Sequence, residues 1–378
     1  MRLLYVIDSL DRPGGAEQAL ASMAPHLVKA GVDLDIAYLL EREGFQDDLR
    51  AVGASIFPVL EPDRVRRARA LASLIREREP DLVHTTLFEA DLAGRVAAAT
   101  TRTRVVSSLV NIAYGPEHRG DPRLTAARVV AAQAADAATC QLVHRFHALT
   151  QYVADVMGRR LLIRPSRIDV VPRGRDEAVL GSRTPERRHT VRTGLGLADD
   201  APMVVAAARH EYQKGLDTLV EAFAAVRRAH PAAQLVVAGR EGTATTLIRQ
   251  RAAEGGVTDA VHLLGPRTDV PDLVAAADVF VAPSRWEGLG SAVVEAMGIG
   301  TPVVAGDVPA IRETITGAGA LLVPVSDPDA LGRAVVNVLD DGAAAATRAG
   351  AASARFRSRN TIEAVTAAML EFYERSLG

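Results

Sequence analysis

The sequence predicts an α/β protein made of two similar halves, each a parallel sheet covered by helices. Short apolar, β-branched runs recur along the chain, and longer amphipathic segments separate them. This is the pattern of successive strand–helix units on parallel sheets. A length of 378 residues suits two domains of roughly 150 residues each. Aromatic residues make up only 4% of the chain, so we expect an aliphatic core.

The predicted strands fall into two series with a gap between them. The first series is Leu3–Ile7, Leu34–Leu39, Ile56–Leu60, Leu82–Thr85, Val105–Leu109, Phe146–Leu149 and Ile168–Val171. The second is Met203–Ala208, Leu235–Ala238, Val261–Leu264, Val279–Ala282, Val303–Ala305 and Leu321–Val323. The stretch Val171–Leu195 is rich in Pro, Gly and Arg and has no apolar period, which indicates a linker. We therefore expect domains at 1–175 and 190–358.

Composition and charge exclude several classes of protein. The formal net charge is −2, so no overall positive field draws the chain to nucleic acid. Cys140 is the only cysteine, which excludes an intramolecular disulfide and a cysteine-based zinc site. Asp8 interrupts the first apolar run, and no stretch of about 18 apolar residues occurs, so we expect neither a signal peptide nor a membrane span. The expected location is the cytoplasm.

A glycine-rich loop follows the first predicted strand. Gly14 and Gly15 precede a long helix that contains Glu17 in its first turn, so backbone N–H groups and the positive helix end face the carboxyl edge of the sheet. The loop suits an anion or a hydroxyl group, and the alternative is an ordinary turn in which Glu17 completes the helix start. The nicotinamide fingerprint G-x-G-x-x-G follows no strand, so a dinucleotide site of that kind is not supported.

Two cations flank the first strand-to-helix turn of the second half. Arg209 ends the strand and Lys214 starts the helix, and Lys214 is one of only two lysines in the chain. Two cations beside a helix N-terminus can bind a diphosphate. The alternative is an ordinary solvated loop.

Two glutamates stand eight residues apart after the strand Val279–Ala282. Gly288 and Gly290 between them disfavour one continuous helix, so Glu287 is expected on a tight loop, with Ser291 as N-cap and Glu295 one turn inside the helix. Carboxylates accept from hydroxyls and backbone amides face phosphate, so a nucleotide sugar would suit the arrangement. The alternative is a pair of glutamates on a helix surface.

The run from Glu287 to Glu295 resembles the E-x7-E motif of retaining glycosyltransferases with the GT-B fold, especially family 4. The segments around Gly14, His84, Arg209 and Arg267 resemble further parts of that family and occur in the family's order. The resemblance implies two Rossmann-like α/β domains that face each other across a cleft. It also implies that the last helix, 361–378, packs back on the N-terminal domain.

The resemblance assigns the donor site residue by residue. Arg209 and Lys214 would neutralise the donor diphosphate, Glu287 would bind hydroxyls of the donor sugar, and Glu295 would hold the ribose. We expect catalytic roles for the first three of these. The full set of expected donor-binding residues is Gly15, Arg209, Lys214, Arg267, Glu287, Gly288, Leu289, Gly290, Ser291 and Glu295. The resemblance implies no bound metal and no cofactor besides the nucleotide sugar.

The acceptor side departs from the family in two places. Val110 stands where the family often has a histidine, and Arg173-Gly174, followed by Arg175, replaces the common Asn-Gly. The expected acceptor-side residues are Gly14, Glu17, His84, Asn111 and His118. A satisfied structural histidine is the alternative for His84, and an unrelated loop histidine is the alternative for His118.

The resulting hypothesis is a glycosyltransferase that moves a hexose or N-acetylhexosamine, with retention, from a nucleotide diphosphate sugar, with uridine preferred over guanosine. The alternatives are a GT-B sugar-nucleotide epimerase and a non-catalytic sugar-nucleotide-binding protein. The acceptor stays open between a polysaccharide, a lipid-linked sugar and a small natural product. The basic helix Arg64–Arg78 is either a solvated face or a peripheral contact with an anionic inner-membrane surface.

Overall fold

A computed structural model describes residues 1–12, 14–115, 125–317 and 319–378. The chain divides into two compact units. Unit 1 comprises Met1–Gly174 together with Ile362–Gly378, and unit 2 comprises Arg175–Thr361. The chain therefore leaves unit 1 after Gly174 and returns to it at Ile362.

Unit 1 is built on a parallel sheet of seven strands. The strands are β1 (Arg2–Ile7), β2 (Asp33–Tyr38), β3 (Ser55–Pro58), β4 (Leu82–Thr86), β5 (Arg104–Leu109), β6 (Arg145–Ala148) and β7 (Ile168–Val170). The helices are α1 (Gly15–Lys29), α2 (Gln46–Ala51), α3 (Arg64–Arg78), α4 (Phe88–Thr101), α5 (Ala126–Cys140), α6 (Gln151–Arg160) and, at the end of the chain, α16 (Ile362–Leu377). The strand order β3-β2-β1-β4-β5-β6-β7 reverses direction between β1 and β4, where such sheets bind ligands.

Unit 2 repeats this design on a parallel sheet of six strands. The strands are β8 (Met203–Ala207), β9 (Gln234–Ala238), β10 (Val261–Leu263), β11 (Val279–Ala282), β12 (Val303–Gly306) and β13 (Leu321–Val323). The helices are α7 (Glu177–Leu180), α8 (Pro185–Gly194), α9 (Leu216–Ala229), α10 (Thr245–Glu254), α11 (Val270–Ala276), α12 (Ser291–Ile299), α13 (Pro309–Ile315), α14 (Pro328–Asp340) and α15 (Gly342–Arg359). The order β10-β9-β8-β11-β12-β13 reverses between β8 and β11.

Every strand expected from the sequence is present, with ends that agree to within two residues. The agreement has a physical reason, because parallel strands are covered on both faces and so appear as continuous apolar runs. In β8, for example, Met203, Val204 and Val205 are all fully buried. The fold class is therefore the one predicted.

The predicted linker Val171–Leu195 is wrong for most of its length. It contains α7 and α8, which pack on α12 and α11 of unit 2. Helix α8 has no apolar stripe because its buried contact is made by Arg192, whose guanidinium bonds to the carboxylate of Asp278 at 2.9 Å and to the carbonyl of Ala276 at 3.3 Å. An arginine counts as a polar residue in a hydrophobicity pattern, even where it is buried. The pattern of apolar residues therefore did not predict this helix.

The last helix belongs to unit 1 and packs against α1. Its buried face carries Ile362, Val365, Met369, Phe372 and Tyr373. This spacing of three and four residues places all five side chains on one side of the helix. The helix thus supplies part of the apolar core of unit 1.

A buried charge cluster joins α4 and α5 of unit 1. Arg95 is fully buried, and its guanidinium lies 3.2 Å from Asp91 and 2.6 Å from Asp136. Tyr114 donates a hydrogen bond of 2.8 Å to Asp136, and Thr85 donates one of 2.5 Å to Asp91. The cluster holds one cation against two carboxylates.

Candidate functional site

The loops that follow β8 and β11 form the candidate donor site of unit 2. The two strands are hydrogen-bonded neighbours, and the strand order reverses between them. Carboxyl ends of parallel strands at such a reversal are where α/β sheets bind ligands. The sequence places its candidate cations on the first loop and its candidate glutamates on the second.

The two loops are joined by backbone contacts. The Arg285 amide donates to the Gln213 carbonyl at 2.8 Å, and the Gln213 side-chain amide donates to the Trp286 carbonyl at 2.9 Å. Gly215 has φ +64°, and a Cβ there would lie 2.1 Å from the Pro283 carbonyl oxygen. This close approach requires glycine at position 215.

Arg285 fixes the same junction and was not singled out from the sequence. Its guanidinium donates to both carboxylate oxygens of Asp217, at 2.9 and 2.7 Å. It also stacks on the Tyr212 ring, with 4.0 Å between the guanidinium carbon and the ring centroid. A bidentate pair of this kind holds geometry as well as charge. No spacing in the sequence reveals it, because Arg285 and Asp217 lie 68 positions apart.

Lys214 and Glu287 are brought into direct contact. The Lys214 Nζ lies 2.5 Å from Glu287 Oε1, and the Ser284 hydroxyl donates to the same oxygen at 2.9 Å. The two charged side chains are 20% and 12% exposed. The arrangement presents an ammonium group and a carboxylate side by side at the carboxyl ends of β8 and β11. A ligand that carries both phosphate and hydroxyl groups matches this pair.

Arg209 is an available cation on the first loop. It is exposed and lies two residues after the end of β8. Its side chain makes no hydrogen bond or ion pair with any residue that the structure describes. Since nothing in that part of the chain neutralises it, its charge is free to meet an anionic ligand.

Gly288, Leu289, Gly290 and Ser291 lead from the loop into α12. Gly290, with φ +82°, is the N-cap of α12, so the expectation that Ser291 would be the N-cap is wrong. A left-handed backbone at this position favours glycine over serine. Ser291 is instead the first helical residue, and Leu289 is 4% exposed. The amides of Val293 and Val294 both donate to the Gly290 carbonyl, at 2.9 and 3.1 Å, and a phosphate contact of residues 288–291 stays a prediction.

Replacing Gly290 by alanine tests whether this turn shapes the donor site. The left-handed backbone would be strained by roughly 1–2 kcal/mol, and the new Cβ would lie 3.1 Å from Ile311 Cγ1. Gly300 at the other end of α12 is the matched control, because it has φ +84° and no atom within 4 Å of an added Cβ. We expect thermal denaturation to show a loss in both variants and nucleotide titration to show weaker binding only for Gly290→Ala. Equal nucleotide affinity in the two variants would contradict the assignment.

Glu295 lies on α12 and is bound by an arginine. The Nε of Arg175 donates to Glu295 Oε1 at 2.7 Å. The carboxylate of Glu295 is therefore held at one oxygen, and Oε2 takes no part in that bond. Arg175 was noted in the sequence only as a departure from the family, so its partnership with Glu295 is a new observation.

Arg267 is not brought to the Lys214–Glu287 pair by any described contact. It is exposed and forms an ion pair with Asp269 at 2.5 Å. This pair holds the pKa of the Asp269 carboxyl below its usual value, chiefly through the hydrogen bond from Arg267. Its loop follows β10, the edge strand, which lies two positions from β8 in the sheet. A role for Arg267 in binding the nucleotide stays a prediction.

The loop after β9 also belongs to this edge and was missed in the sequence. Gly239 has φ +155°, and a Cβ there would lie 1.9 Å from the Ala208 carbonyl oxygen. The next turn approaches as closely, with a Gly242 Cβ 2.7 Å from the His210 carbonyl oxygen. The available signal in the sequence was Gly239 itself, a glycine that directly follows a predicted strand.

In unit 1, Gly14, Gly15 and Glu17 lie at the carboxyl end of β1, as expected. A Cβ on Gly14 would fall 1.9 Å from Glu17 Oε2, so the Glu17 carboxylate folds back over the helix start and would have to shift if position 14 carried a side chain. The Ser9 hydroxyl donates to Glu17 Oε1 at 3.2 Å, and Glu17 is 7% exposed. Gly15 is exposed. Glu17 therefore builds the loop, which supports the structural alternative for this residue.

His84 is part of a buried chain of hydrogen bonds with one direction. The Val171 carbonyl only accepts, so His147 donates to it through Nε2 at 2.7 Å. Ser108 then donates to His147 Nδ1 at 2.9 Å. It must accept from His84 Nε2 at 2.7 Å, and Tyr373 donates to His84 Nδ1 at 2.8 Å. Both ring nitrogens of His84 are therefore occupied, which supports the structural alternative for this residue.

Burial keeps both histidines of this chain neutral. It lowers the pKa of His147 to about 4 and lowers the pKa of His84 well below its usual value. The hydrogen-bonded residues His84, Ser108 and His147 line a cavity of about 40 Å³. Val110 and Arg173 line the same cavity. A volume of this size holds water molecules or one small polar group. The two positions where the sequence departs from the family thus meet at one cavity.

Two expected acceptor-side residues remain, Asn111 and His118. Asn111 is exposed in the loop after β5. His118 lies outside the described residues. Asp8, at the end of β1, was not singled out from the sequence, and burial raises its pKa to about 6 although the Ala90 amide donates to it at 2.7 Å.

Several arginines of the basic helix α3 form ion pairs within unit 1. Arg64 and Arg67 bind Glu89 at 2.6 and 3.2 Å, and Arg78 binds Asp35 at 2.8 Å. Arg69 and Arg76 are exposed. Contact of this helix with an anionic membrane stays a prediction. In the described ranges, no helix is long and apolar enough to cross a membrane, and no group of three or more His, Cys, Asp or Glu residues is placed to hold a metal ion.

Comparisons with known proteins match both halves of the chain. The family model described as Glycosyltransferase Family 4 matches residues 13–179, and the model described as Glycosyl transferases group 1 matches residues 201–341. A lipopolysaccharide core biosynthesis mannosyltransferase of Rhizobium meliloti is 35% identical over 48% of this chain and 53% of its own length. A D-inositol 3-phosphate glycosyltransferase of Xylanimonas cellulosilytica is 32% identical over 78% of this chain and 71% of its own length.

The solved structures show the same fold. HepE from Anabaena, crystallised in complex with UDP, has a TM-score of 0.83 and 22% identity, and the match covers 99% of this chain and 100% of that one. The match with the Rhizobium relative spans only about half of that protein's length. The Xylanimonas relative is matched over 71% of its length, and the two family models together cover both Rossmann-like halves. This chain therefore belongs to glycosyltransferase family 4, the glycosyl transferases group 1, and has the GT-B fold.

Proposed function

We propose that this protein transfers a hexosyl or N-acetylhexosaminyl group from a nucleotide diphosphate sugar to an acceptor hydroxyl. The contact between Lys214 and Glu287, supported by Ser284, carries the proposal. It combines a cation for a diphosphate with an oxygen acceptor for sugar hydroxyls at the strand reversal of unit 2. Membership of family 4 supports the same activity.

Each site residue then has a role in one transfer step. The bond between the anomeric carbon and the diphosphate oxygen breaks, and negative charge develops on the departing diphosphate. Arg209 and Lys214 stabilise that charge, Glu287 binds the sugar hydroxyls, and Glu295 accepts from the ribose. The acceptor oxygen bonds to the anomeric carbon, and its proton passes to the departing phosphate oxygen.

Retention through front-face attack is the mechanism we favour. A double displacement needs a carboxylate that is free to bond to the sugar. The carboxylates of these described loops are engaged: Thr243 donates to Glu211, Arg285 binds Asp217, and Lys214 binds Glu287. The departing phosphate is then the base for the acceptor.

A uridine donor is preferred, with guanosine as the alternative. The UDP bound in the Anabaena structure supports uridine. The mannosyltransferase name of the Rhizobium relative supports a hexose. The acceptor class stays open between a polysaccharide, a lipid-linked sugar and a small natural product.

A thermal-shift screen tests the donor site. The purified protein is heated with UDP, GDP, ADP, dTDP and their common sugar conjugates. A ligand at 100 times its Kd should add about 2.7 kcal/mol to the free energy of unfolding. We expect one base to be selected and the shift to disappear in Glu295→Ala and Lys214→Ala. The absence of a shift with every nucleotide would overturn the proposal.

The reaction itself is tested by NMR with the selected sugar conjugate. We expect release of the nucleoside diphosphate in the presence of an acceptor, and a product with the anomeric configuration of the donor. An inverted product would overturn retention. Conversion of the donor to its epimer without an acceptor would favour the epimerase alternative, and binding without any reaction would favour a binding protein.

A further inference from the structure

The carboxylate of Glu295 already has a buried partner in Arg175. The distance from Arg175 Nε to Glu295 Oε1 is 2.7 Å, and the two side chains are 6% and 17% exposed. Moving either side chain away would leave a buried charge without its partner, which costs free energy. The ion pair therefore holds both side chains in place.

The backbone of Arg175 is held as firmly as its side chain. Its amide donates to the Asn360 carbonyl at 2.8 Å, and residue 175 pairs with Thr361 in a parallel β-bridge. Asn360 is 4% exposed. Arg175 therefore approaches Glu295 from a fixed anchor at the point where the chain enters unit 2.

We propose that Arg175 is a positioning residue for ribose recognition: it binds Glu295 Oε1 and leaves Oε2 oriented to accept from the 2′- and 3′-hydroxyls of the donor nucleotide. This inference rests on the proposed function. A free glutamate would have to give up rotamer entropy when the nucleotide binds, and preorganisation removes that loss. A guanidinium suits the task, since it stays charged and donates to Oε1 along the fixed direction of its Nε–H bond.

The charge of Arg175 gives a second reason for the pair. Glu295 would otherwise bring an uncompensated carboxylate to a site for a diphosphate, and like charges repel. Arg175 offsets the negative charge of Glu295 while the carboxylate keeps an oxygen that accepts hydrogen bonds. The pair therefore allows a hydroxyl acceptor to operate near an anionic ligand.

The test compares UDP with 2′,3′-dideoxy-UDP by isothermal titration calorimetry. The guanosine pair, GDP and 2′,3′-dideoxy-GDP, replaces them where the screen selects guanosine. The wild type should bind the ribose form about 10- to 100-fold more tightly, as expected for hydrogen bonds to a charged group. Arg175→Gln should lose most of this ratio and keep its affinity for the dideoxy nucleotide within about twofold. The double variant with Glu295→Gln should bind no more weakly than Glu295→Gln alone, because coupled residues are not additive.

Two further variants separate positioning from general structural damage. Arg175→Lys keeps one charged donor and should recover part of the ratio. Arg187→Gln is the matched control, because it breaks an arginine–carboxylate contact of 2.6 Å to Asp272 in the same unit and should leave the ratio unchanged. If Arg175→Gln does not fold, the ratio measured for Arg175→Lys decides instead.

The outcomes distinguish this inference from the proposed function. Absence of nucleotide binding by the wild type would overturn the proposed function and the inference with it. A wild type that binds the ribose form more tightly, together with an Arg175→Gln variant of unchanged ratio, would overturn the inference alone. Equal weakening of both nucleotides in Arg175→Gln would show a merely structural role and would also overturn it.

Discussion

Replacing Arg209 by alanine is expected to lower kcat/KM for sugar transfer by about 10²- to 10³-fold, which corresponds to roughly 3–4 kcal/mol of transition-state stabilisation. The leaving diphosphate gains negative charge in the transition state, so a cation beside it acts mainly on the rate. Arg209 is exposed and makes no side-chain bond within the described part of the chain. Its removal should therefore leave the midpoint of thermal unfolding nearly unchanged. Steady-state kinetics and thermal denaturation of the same preparation measure the two effects.

Arg228 provides the matched control for this prediction. It is an exposed arginine of the same unit in the last turn of α9, whereas Arg209 and Lys214 precede the start of that helix. Arg228→Ala should leave kcat/KM within about twofold, as expected for a surface substitution away from the site. Comparable losses for Arg209→Ala and Arg228→Ala would show a general charge effect and contradict the assignment.

Lys214→Ala should lower the rate of sugar transfer and should also leave the Glu287 side chain less well positioned. Lys214 is bound to Glu287, so its removal leaves a carboxylate of the site without its cation. Arg209 has no such contact with the residues that the structure describes. The contrast between the two variants therefore separates leaving-group stabilisation from the positioning of Glu287.

The strands and the strand-end residues could be predicted because local sequence determines them. A strand such as β11 appears as a run of apolar residues, and the glycine-rich loop with Glu287 follows it in the sequence. Because parallel sheets bind ligands at the carboxyl ends of their strands, Glu287 could be identified as a candidate. The position of Lys214 after β8 follows in the same way. Their direct contact depends on β8 and β11 being neighbours, which was not predicted; the resemblance to family 4 assigned both residues to the donor site but implied no contact between them.

The contacts between distant arginines and carboxylates could not be predicted. Arg175 and Glu295 lie 120 positions apart, and Arg192 and Asp278 lie 86 positions apart. An arginine in a sequence reads as a solvated charge, and only tertiary packing shows that these two are buried. For this reason Val171–Leu195 resembles a linker in the sequence, and the partner of Glu295 could not be identified from the sequence.

The fully buried Arg95 gives the largest expected effect on stability. Replacing it by methionine is expected to reduce the free energy of unfolding by about 3–5 kcal/mol, because Asp91 and Asp136 would lose their shared cation. Thermal denaturation should show a midpoint lower by roughly 6–20 °C for a unit of this size. Arg64→Met is the control, since Arg64 is 54% exposed in its contact with Glu89, and an exposed ion pair contributes about 0–1 kcal/mol.

The loss caused by Arg95→Met should also depend on pH. In the wild type, burial and then the repulsion of Asp136 raise the pKa of Asp91 to about 7, although Arg95 opposes the rise. Without Arg95 the pKa of Asp91 should rise further above its value of about 4 in the unfolded chain. A carboxyl whose pKa is higher in the folded state binds its proton more tightly there, so folding is favoured at low pH and loses stability as the pH rises. Denaturation at pH 5, 6.5 and 8 should therefore show the smallest difference from the wild type at pH 5 and the largest at pH 8. A deficit that stays constant, or that grows towards pH 5, would show that the two carboxylates are not held together by the charge of Arg95.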